Sequence, residues 1–202
     1  MSPAATVVRF SGFVPQAATR EVTVGRVEIF GVRAWLAFRR DRAELARRGG
    51  GPAICGLDQL DALMNLPAGL PVPVASVPAG DRRLLRRLPA GSLDWSGASV
   101  TRRVVPPLVP LLAMVRARTW SAGLRAASRF GAYCPRLMMV PALPVDAEHA
   151  LAQASFYGVG VAVTDRGQPR IVLESEPLAD WQPTPAWWWF AEEVYRQVQP
   201  AP

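Results

Sequence analysis

Leu108-Val-Pro-Leu-Leu-Ala-Met-Val115 opens a stretch that runs to Leu173 and reads strand, helix, strand, helix, strand, strand. The opening run is apolar and has the length of a buried strand. Thr119 to Phe130 switches to helical spacing, with Ala122, Ala126, Phe130 and Tyr133 near one face. Arg136-Leu-Met-Met-Val140 is a second buried strand, closed by Pro141 and Pro144. Asp146 suits a helix N-cap, and Ala147, Ala150, Leu151 and Ala154 behind it share one side. Gly158-Val-Gly-Val-Ala-Val-Thr164 is a third strand, and Arg170-Ile-Val-Leu173 a fourth after a turn at residues 165–167. Alternating strands and helices predict an α/β (α+β) fold, a central mixed, partly parallel sheet with flanking helices.

Upstream, Met1 to Ala18 carries Ala and Pro and predicts no regular element. Residues 21–30 alternate well enough for a hairpin or two short strands, with Gly25-Arg26 as the turn. Residues 34–48 read as a helix that Gly49-Gly-Gly-Pro52 ends. Its five arginines either meet phosphates or form a solvated face paired with Asp41 and Glu44.

Between these parts, Leu57 to Met64 has helical spacing, and the prolines of residues 66–74 exclude a long helix or a central strand. One short turn fits around Val74 to Val77. Asp81-Arg-Arg-Leu-Leu-Arg-Arg-Leu88 reads as a basic helix capped by Asp81, and residues 92–104 as a ribbon turning at Ser96-Gly97. In that order, residues 56–105 resemble a degenerate winged helix-turn-helix. The resemblance implies that the basic helix enters the major groove of double-stranded DNA and the ribbon touches the backbone. Arg82, Arg83, Arg86, Arg87, Arg102 and Arg103 would then contact DNA, since arginine suits both guanine and phosphate. The alternative is a small helical lobe with solvated arginines.

The 104–175 region resembles the second half of the PD-(D/E)XK nuclease-like fold. The matching words are Trp120, Leu124 and Ala127 on the first helix, then Leu137-Met-Met-Val-Pro141, then Ala154-Ser-Phe-Tyr-Gly-Val-Gly-Val161. In that family a metal-binding Glu and a Lys lie two positions apart on the preceding strand. Here those positions hold Met114 and Arg116. A thioether does not suit Mg²⁺, and arginine cannot act as a base. The resemblance therefore implies a nuclease-like scaffold without catalytic or metal residues and without a cofactor. Arg116 would hold a phosphate where the Lys would stand, or pair with a carboxylate such as Asp94, and Arg125 and Arg129 share a helix face that would add charge.

The net charge of +7 comes with 23 basic residues, all of them Arg. This favours polyanionic partners, although an Arg-, Ala- and Pro-rich composition also follows from a GC-rich genome. No apolar run reaches the ~18 residues that would span a bilayer, and no secretory signal is evident, so a cytoplasmic, non-membrane protein is expected. Cys55 and Cys134 are expected to be free thiols, and a lone His149 argues against structural zinc.

Thr184-Pro185 begins a final helix with a Trp187, Ala191, Val194, Val198 stripe and a second one through Trp188 and Tyr195. This cluster either packs within the chain or contributes Trp187, Trp188 and Tyr195 to a homodimer or partner interface.

The reading divides the chain at 1–55 (hairpin and helix), 56–105 (winged-helix-like) and 106–202 (nuclease-like lobe with the Trp-rich helix). The function expected is that of a non-catalytic DNA-binding protein, a bacterial transcription regulator. The alternatives are a structural adaptor subunit and a metal nuclease using Glu21, Glu28 and Asp94.

Overall fold

The computed structural model describes residues 22–165, 168–178 and 182–199. The expectations for Met1–Ala18, for Glu21 and for the tip of the 165–167 turn lie outside these residues. The fold is mixed α/β, with a six-stranded mixed sheet, a small three-stranded sheet and six α-helices among the described residues. Two compact units share the chain, Met1–Arg39 with Pro110–Trp181 and Arg40–Val109 with Gln182–Pro202.

The large sheet begins with β1 (Val22–Ile29) and β2 (Val32–Arg40), an antiparallel hairpin. Then come β6 (Leu108–Arg116), β7 (Arg136–Val140), β8 (Val159–Asp165) and β9 (Gln168–Leu173), in the spatial order β1-β2-β6-β7-β8-β9. The first hairpin thus extends this sheet and is not a lobe of its own. β6, β7 and β8 run parallel, linked by α4 (Trp120–Ser128) and α5 (Ala147–Phe156), while β9 returns antiparallel to β8. Crossover helices are what parallel neighbours require.

Two expectations near the N-terminus are corrected. Gly25-Arg26 lies inside β1; the turn is at Phe30-Gly31, where both residues have positive φ (57° and 69°). That pair of left-handed residues makes the two-residue turn that matches strand twist. Phe30 is unusual there, since a bulky side chain disfavours positive φ. It stacks on Tyr133 at 5.1 Å and meets Phe130 edge-on at 5.9 Å, while Arg129 donates to its carbonyl. Residues 34–48 are also not one helix. β2 occupies their first half because Leu36, Ala37 and Phe38 are buried consecutively in a strand flanked by β1 and β6. Asp41 then starts α1 (Arg42–Arg48), its carboxylate accepting from the Glu44 N–H at 2.9 Å.

One core cluster of this unit contains Ala37, Leu112, Met114, Leu137 and Ala162. α4 lies close on β7: a Cβ on Gly123 would sit 3.0 Å from the Met138 sulfur. Gly158 closes α5 in the left-handed region at φ 61°, and a Cβ on Gly160 would meet the Ser175 backbone N at 2.7 Å.

The second unit holds α1, α2 (Leu57–Met64), β3 (Pro71–Pro73), a 3-10 turn at Val74–Ser76, α3 (Ala79–Leu85), β4 (Leu93–Ser96), β5 (Ser99–Arg102) and α6 (Pro185–Val198). Its small sheet has the order β3-β5-β4. The basic helix starts after Pro78, so Asp81 sits in its first turn and does not cap it. Thr184 caps α6 as expected, accepting from the Trp187 N–H at 3.1 Å. α6 packs against α2.

Candidate nucleic-acid interface

The expected DNA-contacting arginines differ in what engages them. Arg83 and Arg87, on and just after α3, are exposed and Arg82 is half-buried; these three side chains have no hydrogen bond or ion pair among the described residues. Arg86 is exposed too, with its guanidinium 5.2 Å from the centroid of the Trp95 ring on β4. The ribbon turns at Gly97-Ala98, one residue beyond the expected pair. Trp95, exposed on this ribbon, is a residue that charge-based reading passed over; an aromatic residue beside a basic helix was the available signal.

Arg103 is exposed and pairs with Asp94 at 2.6 Å. Asp94 is therefore engaged on the ribbon. Arg102 turns inward. It donates to the Leu63 carbonyl at 3.1 Å, and its guanidinium lies 5.4 Å from the Trp188 ring centroid. Its Nε has no partner, and burial lowers its pKa.

A fixed ionic cluster surrounds α1 and α6. Arg48, 4% exposed, grips the Glu192 carboxylate with two nitrogens at 2.6 and 2.7 Å and donates from Nε to Glu44 at 2.6 Å. Burial works to lower the Arg48 pKa, but the bonds from Glu192 and Glu44 outweigh it and the pKa is raised. Glu192, 0% exposed, also accepts from the Trp188 indole at 3.0 Å and the Ile54 N–H at 3.1 Å. Arg47 binds Glu44 at 2.6 Å and the Gly91 carbonyl at 2.5 Å. Arg47 and Arg48 are thus structural, as the solvated-face alternative half anticipated. Trp187, Trp188 and Tyr195 are buried in this unit, so packing within the chain accounts for them.

In the sheet unit, Arg116 ends β6 and is exposed, with no hydrogen bond or ion pair among the described residues. The same holds for Arg118 and Arg125. Arg129 is spent on the Phe30 carbonyl. Met114, where the nuclease resemblance would expect a carboxylate, is 3% exposed and belongs to the core. Arg116 and Arg118 line a cleft of about 520 Å³ together with Met139, Val140, Pro141 and Thr164. Sequence reading singled out Arg116 but not Arg118 or Thr164 as site residues.

Glu28 pairs with Arg33 at 2.9 Å, and no three His, Cys, Asp or Glu side chains gather into a metal-binding group among the described residues. No described helix is long and apolar enough to cross a membrane. No protein-family model, curated protein or solved structure matches the chain.

Proposed function

We propose that the chain is a non-catalytic protein that binds double-stranded DNA, a transcription regulator in which a winged-helix-like segment joins a nuclease-like α/β scaffold without metal chemistry. The observation that carries this reading is the group of Arg82, Arg83 and Arg87 on and just after α3, without a hydrogen bond or ion pair among the described residues, with Arg86 against Trp95 of the β4–β5 ribbon. The succession α2, β3, a 3-10 turn, α3, β4, β5 and the sheet order β3-β5-β4 support the winged-helix reading. Parallel β6, β7 and β8 with two crossover helices support the scaffold reading. Met114 in the core supports a role without a carboxylate at that position.

DNA contact falls to Arg83 and Arg87 first, with Arg82 and Arg86 at their side. Arg103 adds charge at the ribbon, whereas Arg102 serves the interior. Replacing both Arg83 and Arg87 by Ala removes two exposed cations with no hydrogen bond or ion pair among the described residues. Duplex affinity should fall at least tenfold at low salt. The slope of log affinity against log salt should shrink by about 2, near 0.9 for each phosphate that is no longer neutralised. Anisotropy of a labelled duplex measures both. Unchanged affinity and slope in this variant would remove the assignment.

Docking to a protein partner is the second reading. It is favoured by Phe156 (84% exposed) and Tyr157 at the end of α5, and not by the buried tryptophans of α6. A monomer by light scattering that captures no partner from its host counts against it.

A further inference from the structure

The parallel strands β6, β7 and β8 end at one edge of the large sheet, where Arg116 pairs in register with Met139 and Val140 with Val163. Open α/β sheets take ligands at the carboxyl ends of such strands, because the loops there diverge and leave a crevice. The cleft of about 520 Å³ lies at this edge. That volume suits a small molecule.

Its chemistry is one-sided among the described side chains. Arg116 and Arg118 bring two guanidinium groups, neither engaged by a carboxylate or a carbonyl among the described residues, and no carboxylate among those residues lines the cleft. Thr164 supplies a hydroxyl, and Met139, Val140 and Pro141 supply apolar surface. Arg118 directly precedes Thr119, the N-cap of the nine-residue α4, whose side chain makes no capping bond. The positive end of that helix therefore adds to the field of the two arginines.

We infer that this cleft binds a small organic phosphate monoester, with the phosphate on Arg116 and Arg118 and the organic part on the Met139–Pro141 wall. A phosphate monoester carries about −1.5 to −2 charges near neutral pH, which two guanidiniums match better than they match a monocarboxylate. Its oxygens accept the paired N–H bonds that arginine presents. The site belongs to the sheet unit alone, and stands whether or not α3 binds DNA.

The test is calorimetric titration of the full chain at low ionic strength with phenyl phosphate, inorganic phosphate and benzoate as probes. Phenyl phosphate should bind saturably at one site per chain, at least tenfold more tightly than benzoate and several-fold more tightly than inorganic phosphate. The double variant Arg116→Gln, Arg118→Gln, with circular dichroism unchanged, should lose at least tenfold in affinity for phenyl phosphate. Binding equal in the variant and the parent chain would overturn the site, as would no saturable binding. Equal affinity for benzoate, or for inorganic phosphate, would overturn the assigned ligand class. Loss of duplex affinity in this variant, with phenyl phosphate unable to displace DNA, would overturn it in favour of a DNA-backbone contact. The Arg83/Arg87 variant should bind phenyl phosphate like the parent chain, so failure of one proposal is distinguishable from failure of the other.

Discussion

The two units use arginine in opposite ways. In the sheet unit Arg116 and Arg118 stand without a hydrogen bond or ion pair among the described residues, over a core of aliphatic, alanine and methionine side chains. In the second unit Arg48 lies inside, locked to Glu44 and Glu192, and Arg102 covers Trp188. The difference teaches that the fold, and not the residue type, decides which charges are left available to a ligand. A buried ion pair costs desolvation and is retained when every donor and acceptor is satisfied. Arg48 meets that condition closely: its three nitrogens reach two carboxylates and the Val105 carbonyl.

The largest expected effect breaks this contrast directly. Glu192→Ala strands Arg48, the Trp188 indole and the Ile54 N–H, and should cost about 3–5 kcal/mol in urea unfolding. Arg116→Gln in the other unit should change stability by less than about 0.5 kcal/mol. Equal costs for the two substitutions would mean that the contrast has been misread.

A core truncation measures the sheet unit on the same scale. Met138, fully buried beneath Gly123, should cost about 2–5 kcal/mol as Met138→Ala. Gly160→Ala should cost about 1–3 kcal/mol, because its Cβ would strike the Ser175 backbone as well as the Leu137 side-chain end, and the backbone cannot swing aside as a side chain can. A Gly160→Ala variant as stable as the parent would show that β8 and the segment after β9 can separate freely.

The smallest effect near neutral pH concerns Cys134. Burial pushes its thiol up to about 12 from 9.0. The folded chain therefore keeps a proton that the unfolded chain releases. This contribution is fully present below about pH 9, and stability declines as pH rises from there towards 12. At pH 8 Cys55, exposed, should react with a thiol reagent in the native chain and Cys134 only on unfolding. Two equally fast thiols would contradict the burial of Cys134.

Much of the sheet unit was legible because its elements carry local signals. Asp146 caps α5, Gly158 closes it, and apolar runs of strand length alternate with helical spacing. Residues 34–48 misled because three consecutive buried side chains in β2 have no period of their own, and the turn that starts β2 places an aromatic at positive φ. Asp41, which separates strand from helix, was the overlooked mark. The candidate site was legible only in part. Arg48 and Arg87 look alike in the sequence; what distinguishes them is Glu192, 144 positions from Arg48. Long-range pairing of this kind leaves no periodic or motif trace.

The most direct test of the DNA-binding proposal is anisotropy of two labelled duplexes, the gene's own upstream region and a shuffled copy, across a salt series without Mg²⁺. The proposal expects the upstream duplex to bind more tightly and to keep that preference at moderate salt. Equal, weak binding to both duplexes that vanishes with salt would reduce the arginines of α3 to bulk charge and contradict it.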